Sequence, residues 1–197
     1  MPTSATGGYL TPTNTEPLSD VALQDFMHDW LAGISGVDNT LVRPRWQGTP
    51  PNIPDKGIDW LAFGLKGRSK QGTPYNVHLP NANGGLGRDQ LRQHEELDFL
   101  VTAYGPNADL ITTRLKCGMF VAQNREPLQL VNMDFVDCGD PVTVPELIKN
   151  QWLYRVDLTF TIRRQIVLEY DVQNILTAGG TVKIDLETAE YDLNFET

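Results

Sequence analysis

The stretch Trp152–Tyr170, WLYRVDLTFTIRRQIVLEY, constrains the fold of this chain more than any other segment. Trp152, Tyr154, Val156, Leu158, Phe160 and Ile162 fall on one face of an extended strand, and Leu153, Arg155, Asp157, Thr159, Thr161 and Arg163 fall on the other. A period of two separates the apolar set from a mostly polar one, whereas a helix would scatter both around its axis. At roughly 3.3 Å per residue the run reaches about 60 Å, far beyond the usual strand of about 5–6 residues. A strand that long bends, breaks or leaves its own domain. The last option points to a protein that touches other copies of itself.

The same alternation recurs elsewhere. Glu95 to Tyr104 places Leu97, Phe99, Val101 and Ala103 on one face, and further strands are predicted at Thr40–Trp46, Trp60–Leu65, about Tyr75–Leu79 and about Leu128–Val136. Pro44 confines the first of these to an edge or a bulge. Between them, residues 66–92 are polar and read as a strand followed by a long loop containing NANGGLG. After the long strand, Val182, Ile184 and Leu186 alternate with charged residues, and Tyr191, Leu193 and Phe195 repeat the pattern.

Two helices interrupt the strands. Ser19 is an N-cap type before a helix over about 20–34, with Leu23, Met27, Trp30, Leu31 and Ile34 as its apolar stripe. Asn107 opens a second helix over about 107–121, which packs through Ile111, Leu115, Gly118 and Ala122. Separated helices among alternating strands predict an α+β fold: a mainly antiparallel, twisted β-sheet with two helices packed on it, plus extended N- and C-terminal arms. The expected division is a flexible arm at 1–16, a domain at 17–175 and an acidic strand or arm at 176–197.

Composition narrows the function classes. The chain of 197 residues carries a net charge of −9 and holds two cysteines. No apolar run approaches the ~18 residues of a membrane span, and the first residues lack the basic start and apolar core of a signal peptide. Two cysteines make no disulfide framework, so synthesis in a reducing host cytoplasm is expected. The acidity is concentrated late: residues 171–197 hold Asp171, Asp185, Glu187, Glu190, Asp192 and Glu196 against Lys183 alone. No basic patch is visible, which argues against tight nucleic-acid binding.

Signals for chemistry are weak. His94-Glu95-Glu96 lacks the second ligand pair of a metal motif and reads as the solvated start of a strand. Asp134, Asp137 and Asp140 in DFVDCGD lack the Gly and Glu positions of an EF-hand loop and read as a surface turn. Cys138 reads as a structural thiol, and the glycines of NANGGLG read as a hairpin tip rather than a phosphate cradle. Arg43-Pro44-Arg45-Trp46 has more character, because guanidinium groups beside Trp can stack or form forked ion pairs. Its two readings, a core Trp with solvated arginines or an interface, stand level. The polar face of the long strand reads either as an ordinary wet sheet face or as the lining or contact surface of a ring.

Taken in order, LVRPRWQ (Leu41–Gln47), PPNIPD (Pro50–Asp55), DWLAFGL (Asp59–Leu65), RQHEELDFLVTAYGPNA (Arg92–Ala108), VAQNREPL (Val121–Leu128) and VPELIKNQWLYRVDLTFTIRRQI (Val144–Ile166) resemble the neck or tail terminator proteins of tailed bacteriophages. The resemblance covers roughly residues 17–175. It implies a structural virion protein that forms a hexameric ring at the neck, caps the tail tube, ends its polymerisation and joins the tail to the head-side connector or stopper. It also implies a tail tube partner, in some phages a tail sheath, and double-stranded DNA passing through the lumen without specific binding. No enzyme activity, cofactor, metal or membrane is expected.

On this reading Arg155, Asp157, Thr159 and Arg163 are candidates for a polar contact or lumen face. Arg43, Arg45 and Trp46 are candidates for an inter-subunit or tube contact, and Val182, Ile184 and Leu186 for a docking arm. The rivals are another head–tail joining protein, such as a stopper or head-completion protein, a tail tube subunit, and a small metal-dependent hydrolase built on His94, Glu95 and the DFVDCGD acids.

Overall fold

A computed structural model of the chain describes residues 7–14, 17–46, 53–55, 57–148, 151–175, 177–183 and 190–196. Its elements are α1 (Asp20–Ser35), β1 (Val42–Pro44), β2 (Trp60–Leu79), β3 (Arg88–Tyr104), α2 (Ala108–Met119), α3 (Ala122–Gln129), β4 (Met133–Cys138), β5 (Val142–Thr143), β6 (Glu146–Ile148), β7 (Gln151–Leu153), β8 (Arg155–Tyr170), β9 (Thr177–Lys183) and β10 (Glu190–Glu196). The fold is α+β with a mixed, mainly antiparallel sheet, as the alternation predicts. The main sheet runs in the order β1-β2-β3-β8-β4, with β5 also on β8. The parallel contact of β1 with β2 is confined to Val42–Pro44 against Leu61–Phe63. Pro44 closes the short outermost strand, where its missing N–H is tolerated.

The chain divides into two units: a larger one of Glu16–Tyr75 and Arg92–Val167, and a smaller one of Met1–Thr15, Asn76–Leu91 and Leu168–Thr197. The core of the larger unit lies between one sheet face and the three helices. Leu61, Phe63, Leu97, Phe99, Val101, Val156, Leu158, Phe160 and Ile162 supply the sheet side. Leu23, Met27, Trp30 and Leu31 of α1, Ile111, Leu115 and Met119 of α2, and Leu128 of α3 supply the helix side. Phe99 stacks on Phe160 at 5.4 Å, and the Trp30 indole N–H donates to the Asn124 carbonyl at 2.6 Å. Gly118 lets α2 approach α1, since a Cβ there would run into the Ile34 methyl.

In the smaller unit, β9 and β10 pair antiparallel from Glu190↔Lys183 to Glu196↔Thr177. Thr13 N donates to Glu169 O at 2.8 Å, and Glu169 N to Asn14 Oδ1 at 2.8 Å. Arg88 bridges Glu169 and Asp171 at 2.7 and 3.0 Å. Residues 80–87 turn β2 into β3, with Asn83, Gly84, Gly85 and Gly87 at positive φ. NANGGLG is therefore the hairpin tip anticipated from its glycines.

Several sequence expectations are corrected. The long strand breaks at Tyr154, and the core-facing apolar run does not extend before the break: Trp152 and Tyr154 are 62% and 45% exposed, while Leu153 is buried in a separate cluster with Trp60, Ala62 and Tyr104. The second helix, α2, lies where it is expected, and an unexpected third, α3, follows it after Val121, which takes an extended conformation between them. Leu128 is a buried residue of α3, and the strand expected to begin there starts at Met133. Residues 66–79 continue β2 instead of forming a separate strand with loop. Arg68 to Asn76 are all exposed, so no apolar alternation marks them. Asp134 and Asp137 lie on β4, next to a bulge between Phe135 and Asp137, rather than in a turn. Glu95 is buried, not solvated: its carboxylate pairs with Arg164, whose guanidinium also donates to the Leu18 carbonyl.

Candidate functional site

The sheet face opposite the helices carries a second, smaller cluster. Trp60 and Ala62 alternate with core-facing Leu61 and Phe63, and Tyr104 alternates with Ala103. Trp60 and Tyr104 stack at 4.1 Å with a 7° interplanar angle, beside buried Leu153. The Arg43 and Arg155 guanidinium carbons lie 6.0 Å from the Trp60 and Tyr104 ring centres, within cation–π range.

A polar chain continues from this stack. Arg45 donates to the Thr102 hydroxyl, Thr102 donates to Asp157 Oδ1 at 2.6 Å, and Arg155 grips Asp157 at 2.9 and 2.7 Å. Arg155 also reaches Glu146 at 3.3 Å. Burial pushes the Asp157 carboxyl up, but hydrogen bonds from Arg155 and Thr102 outweigh it and hold the group below the usual range. The hydrogen bond to Asp157 raises Arg155 in turn, and burial raises Tyr104. Asp157 and Arg155 thus each hold the other in its ionised form. Such an arrangement fixes the orientation of the Arg155, Asp157 and Thr102 side chains.

Arg45, Arg155 and Asp157 are brought together, with Arg43 on the adjoining Trp60–Tyr104 stack, while Arg163, Thr159 and Trp46 make other contacts. Arg163 pairs with Glu96 at 2.6 Å, Thr161 donates to Asp98 at 2.7 Å, and Thr159 is exposed, with its carbonyl accepting from Gly139 N at 2.8 Å. Trp46 is exposed at a positive φ of 58°, with its ring against Gly64, where a Cβ would collide with it. Beside it a cavity of about 210 Å³ is lined by Leu23, Arg45, Phe63, Leu65, Arg68 and Phe99. Arg45 Nε is buried without a partner among the described residues. Val182 lies on β9, and Ile184 and Leu186 lie outside the described residues.

Thr102, Trp60, Tyr104 and Glu146 complete the site but were not singled out in sequence. The alternation of β3 carries the signal for two of them, since a core set of Val101 and Ala103 leaves Thr102 and Tyr104 on the other face.

The motifs for chemistry resolve into structural contacts. Burial pushes the Cys138 thiol up to about 11, away from reactivity. Asp140 pairs with Lys116 at 2.6 Å, and Glu95 is committed to Arg164. Among the described residues no group of three or more His, Cys, Asp or Glu side chains is placed to hold a metal ion.

The family model described as phage neck terminator protein matches residues 21–186, from α1 through β9. The chain belongs to the phage neck terminator family. No curated protein matches it. Membership makes this neck terminator a structural phage protein of the virion neck, with partners at the head–tail junction. Among the described residues no helix is long and apolar enough to cross a membrane.

Proposed function

We propose that this neck terminator closes into a ring, hexameric by its family resemblance, that sits on the last layer of the tail tube. The ring stops tube growth and presents the head-side connector or stopper with a docking surface. The observation that carries this reading is the family match over residues 21–186, which takes in the whole main sheet. Physical support comes from the sheet margins. A closed ring uses heterologous contacts, in which one surface of each copy meets a different surface of the next. The main sheet offers two unlike edges for this, β1–β2 at one side and β4 at the other.

The Arg45–Thr102–Asp157–Arg155 face is the polar contact or lumen surface in this reading, with Arg43 and Trp46 beside it, and Arg163 and Thr159 further along β8. The net charge of −9 lets DNA slide through without adhering, because like charges repel across the lumen. The protein has no catalytic role here. The test is tube growth in vitro: full-length protein added to polymerising tube subunits halts elongation and leaves capped ends. Tubes that lengthen unchanged, or added protein that itself extends as a tube, would overturn the reading.

A further inference from the structure

The main sheet has one long open margin. β1 covers β2 only at Leu61–Phe63, and from Gly64 onward that side of β2 has no partner strand among the described residues. Lys66, Arg68 and Lys70 follow at alternate positions, so their side chains share one face of the strand. All three are exposed, and none has an ion-pair partner among the described residues, in a chain whose net charge is −9. Arg88, Lys116, Arg155, Arg163 and Arg164, by contrast, are each paired with an acid.

The opposite inventory stands in β10. Its backbone pairs with β9 alone, so its other margin is open among the described residues. Two strands by themselves are marginal in water and gain from a third. β10 carries Glu190, Asp192 and Glu196 at even positions, with Asn194 between them. The repeat of two residues, about 6.7 Å, is the same as that of Lys66, Arg68 and Lys70.

We propose that β10 of one copy adds to the open edge of β2 in the next copy, as a third strand beside β9, in a register that sets two of its acidic positions opposite two of Lys66, Arg68 and Lys70. The contact deepens the ring reading and rests on it. Main-chain hydrogen bonds supply the attachment, and the charge pattern supplies the choice of partner. Two β2 edges repel one another, and so do two β10 edges, so only the unlike pair forms. Lysines on an edge normally keep strands apart; here they admit an acidic strand and refuse the rest. Pro74 has no N–H to offer, which confines the pairing to the stretch before it. Each copy gives one strand and receives one, the arrangement a heterologous ring requires.

Mixed proteins that each carry one introduced cysteine, with Cys138 left buried, test the contact. In a full-length Cys117→Ser background, which removes the exposed native thiol, Arg68→Cys protein is mixed with Asp192→Cys protein on capped tubes and oxidised. A disulfide between the two variants joins two copies by construction. The expected result is a dominant Arg68→Cys/Asp192→Cys heterodimer. In parallel, the triple reversal K66E/R68E/K70E raises the protein concentration needed for assembly about tenfold, as replacing two cross-strand charge pairs by repulsions would. Mixing it with E190K/D192K/E196K protein restores assembly, which a merely misfolded variant would not allow. Rings that form normally, without the heterodimer and without sensitivity to reversal, overturn this contact and leave the ring intact. Wild-type protein that never closes on tube ends overturns both.

Discussion

Arg155 holds Asp157 through two hydrogen bonds, 2.9 and 2.7 Å, from two positions along the same strand. Thr102 approaches the same carboxylate from β3 at 2.6 Å. Asp157 therefore sets the order of the polar face, and Asp157→Asn removes the charge while keeping the shape. We expect a loss of about 1–3 kcal/mol in urea denaturation. Because the Asp157 pKa is lowered, its contribution is present above the ordinary carboxylate value of 3.8 and is lost as pH falls through the lowered value. The stability of the wild type should thus decline more steeply in acid than that of Asp157→Asn.

Neighbouring glutamates on β3 should differ sharply. Glu95 is buried against buried Arg164, whereas Glu96 meets half-exposed Arg163. Glu95→Gln leaves a guanidinium charge buried and unpaired and should cost about 3 kcal/mol or more. Glu96→Gln, at a partly exposed pair, should cost less than about 1 kcal/mol. Chemical denaturation of both single variants measures the difference.

That contrast also marks what the sequence conveys. The core face of β3 and β8 was legible because Leu97, Phe99, Val101, Leu158, Phe160 and Ile162 alternate without interruption, and the stripe of α1 because Leu23, Met27, Trp30 and Leu31 recur at helical spacing. Glu95 was misread because it sits in a core-facing phase with its compensating charge sixty-nine residues away at Arg164. Residues 66–76 were misread because an edge strand with little apolar burial leaves no period to detect. The exposure of Trp152 and Tyr154 had no signal, since both continue the apolar alternation of Val156, Leu158 and Phe160. Of the site, the arginines and Asp157 stood out as charges in an apolar context. Thr102 and Glu146 did not, because their role depends on which strands become neighbours.

His78 should titrate above its ordinary 6.5. Its Nδ1 lies 2.5 Å from Asp89 and its Nε2 2.7 Å from Asn174 Oδ1. The Asn174 amide is oriented by donating to the Pro80 and Gly85 carbonyls, both at 2.9 Å. Its oxygen therefore faces the ring, and both ring nitrogens donate, which favours the cation. The contribution is present below 6.5 and lost as pH rises through the raised value. The Asp89 contribution is present above 3.8 and lost as pH falls through its lowered value. Proton NMR of the His78 ring checks this: Asp89→Asn should return the midpoint toward 6.5, and an unchanged midpoint would contradict the pairing.

Gly118 should be sensitive despite lying in a helix, where Ala is normally worth about 1 kcal/mol over Gly. A Cβ there meets the Ile34 methyl, so Gly118→Ala should be destabilising by about 1–2 kcal/mol net. In an Ile34→Ala background the same change should become neutral or stabilising. A double-mutant cycle reads that coupling directly.

The central claim is that copies of this chain close on one another at the end of the tail tube. Cryo-electron microscopy of the intact neck, with the copies in that layer counted and their contacts traced, tests it most directly. The account predicts one closed ring on the last tube layer, each subunit touching two others through unlike surfaces. Copies bound singly, or stacked as a continuing tube, would contradict it.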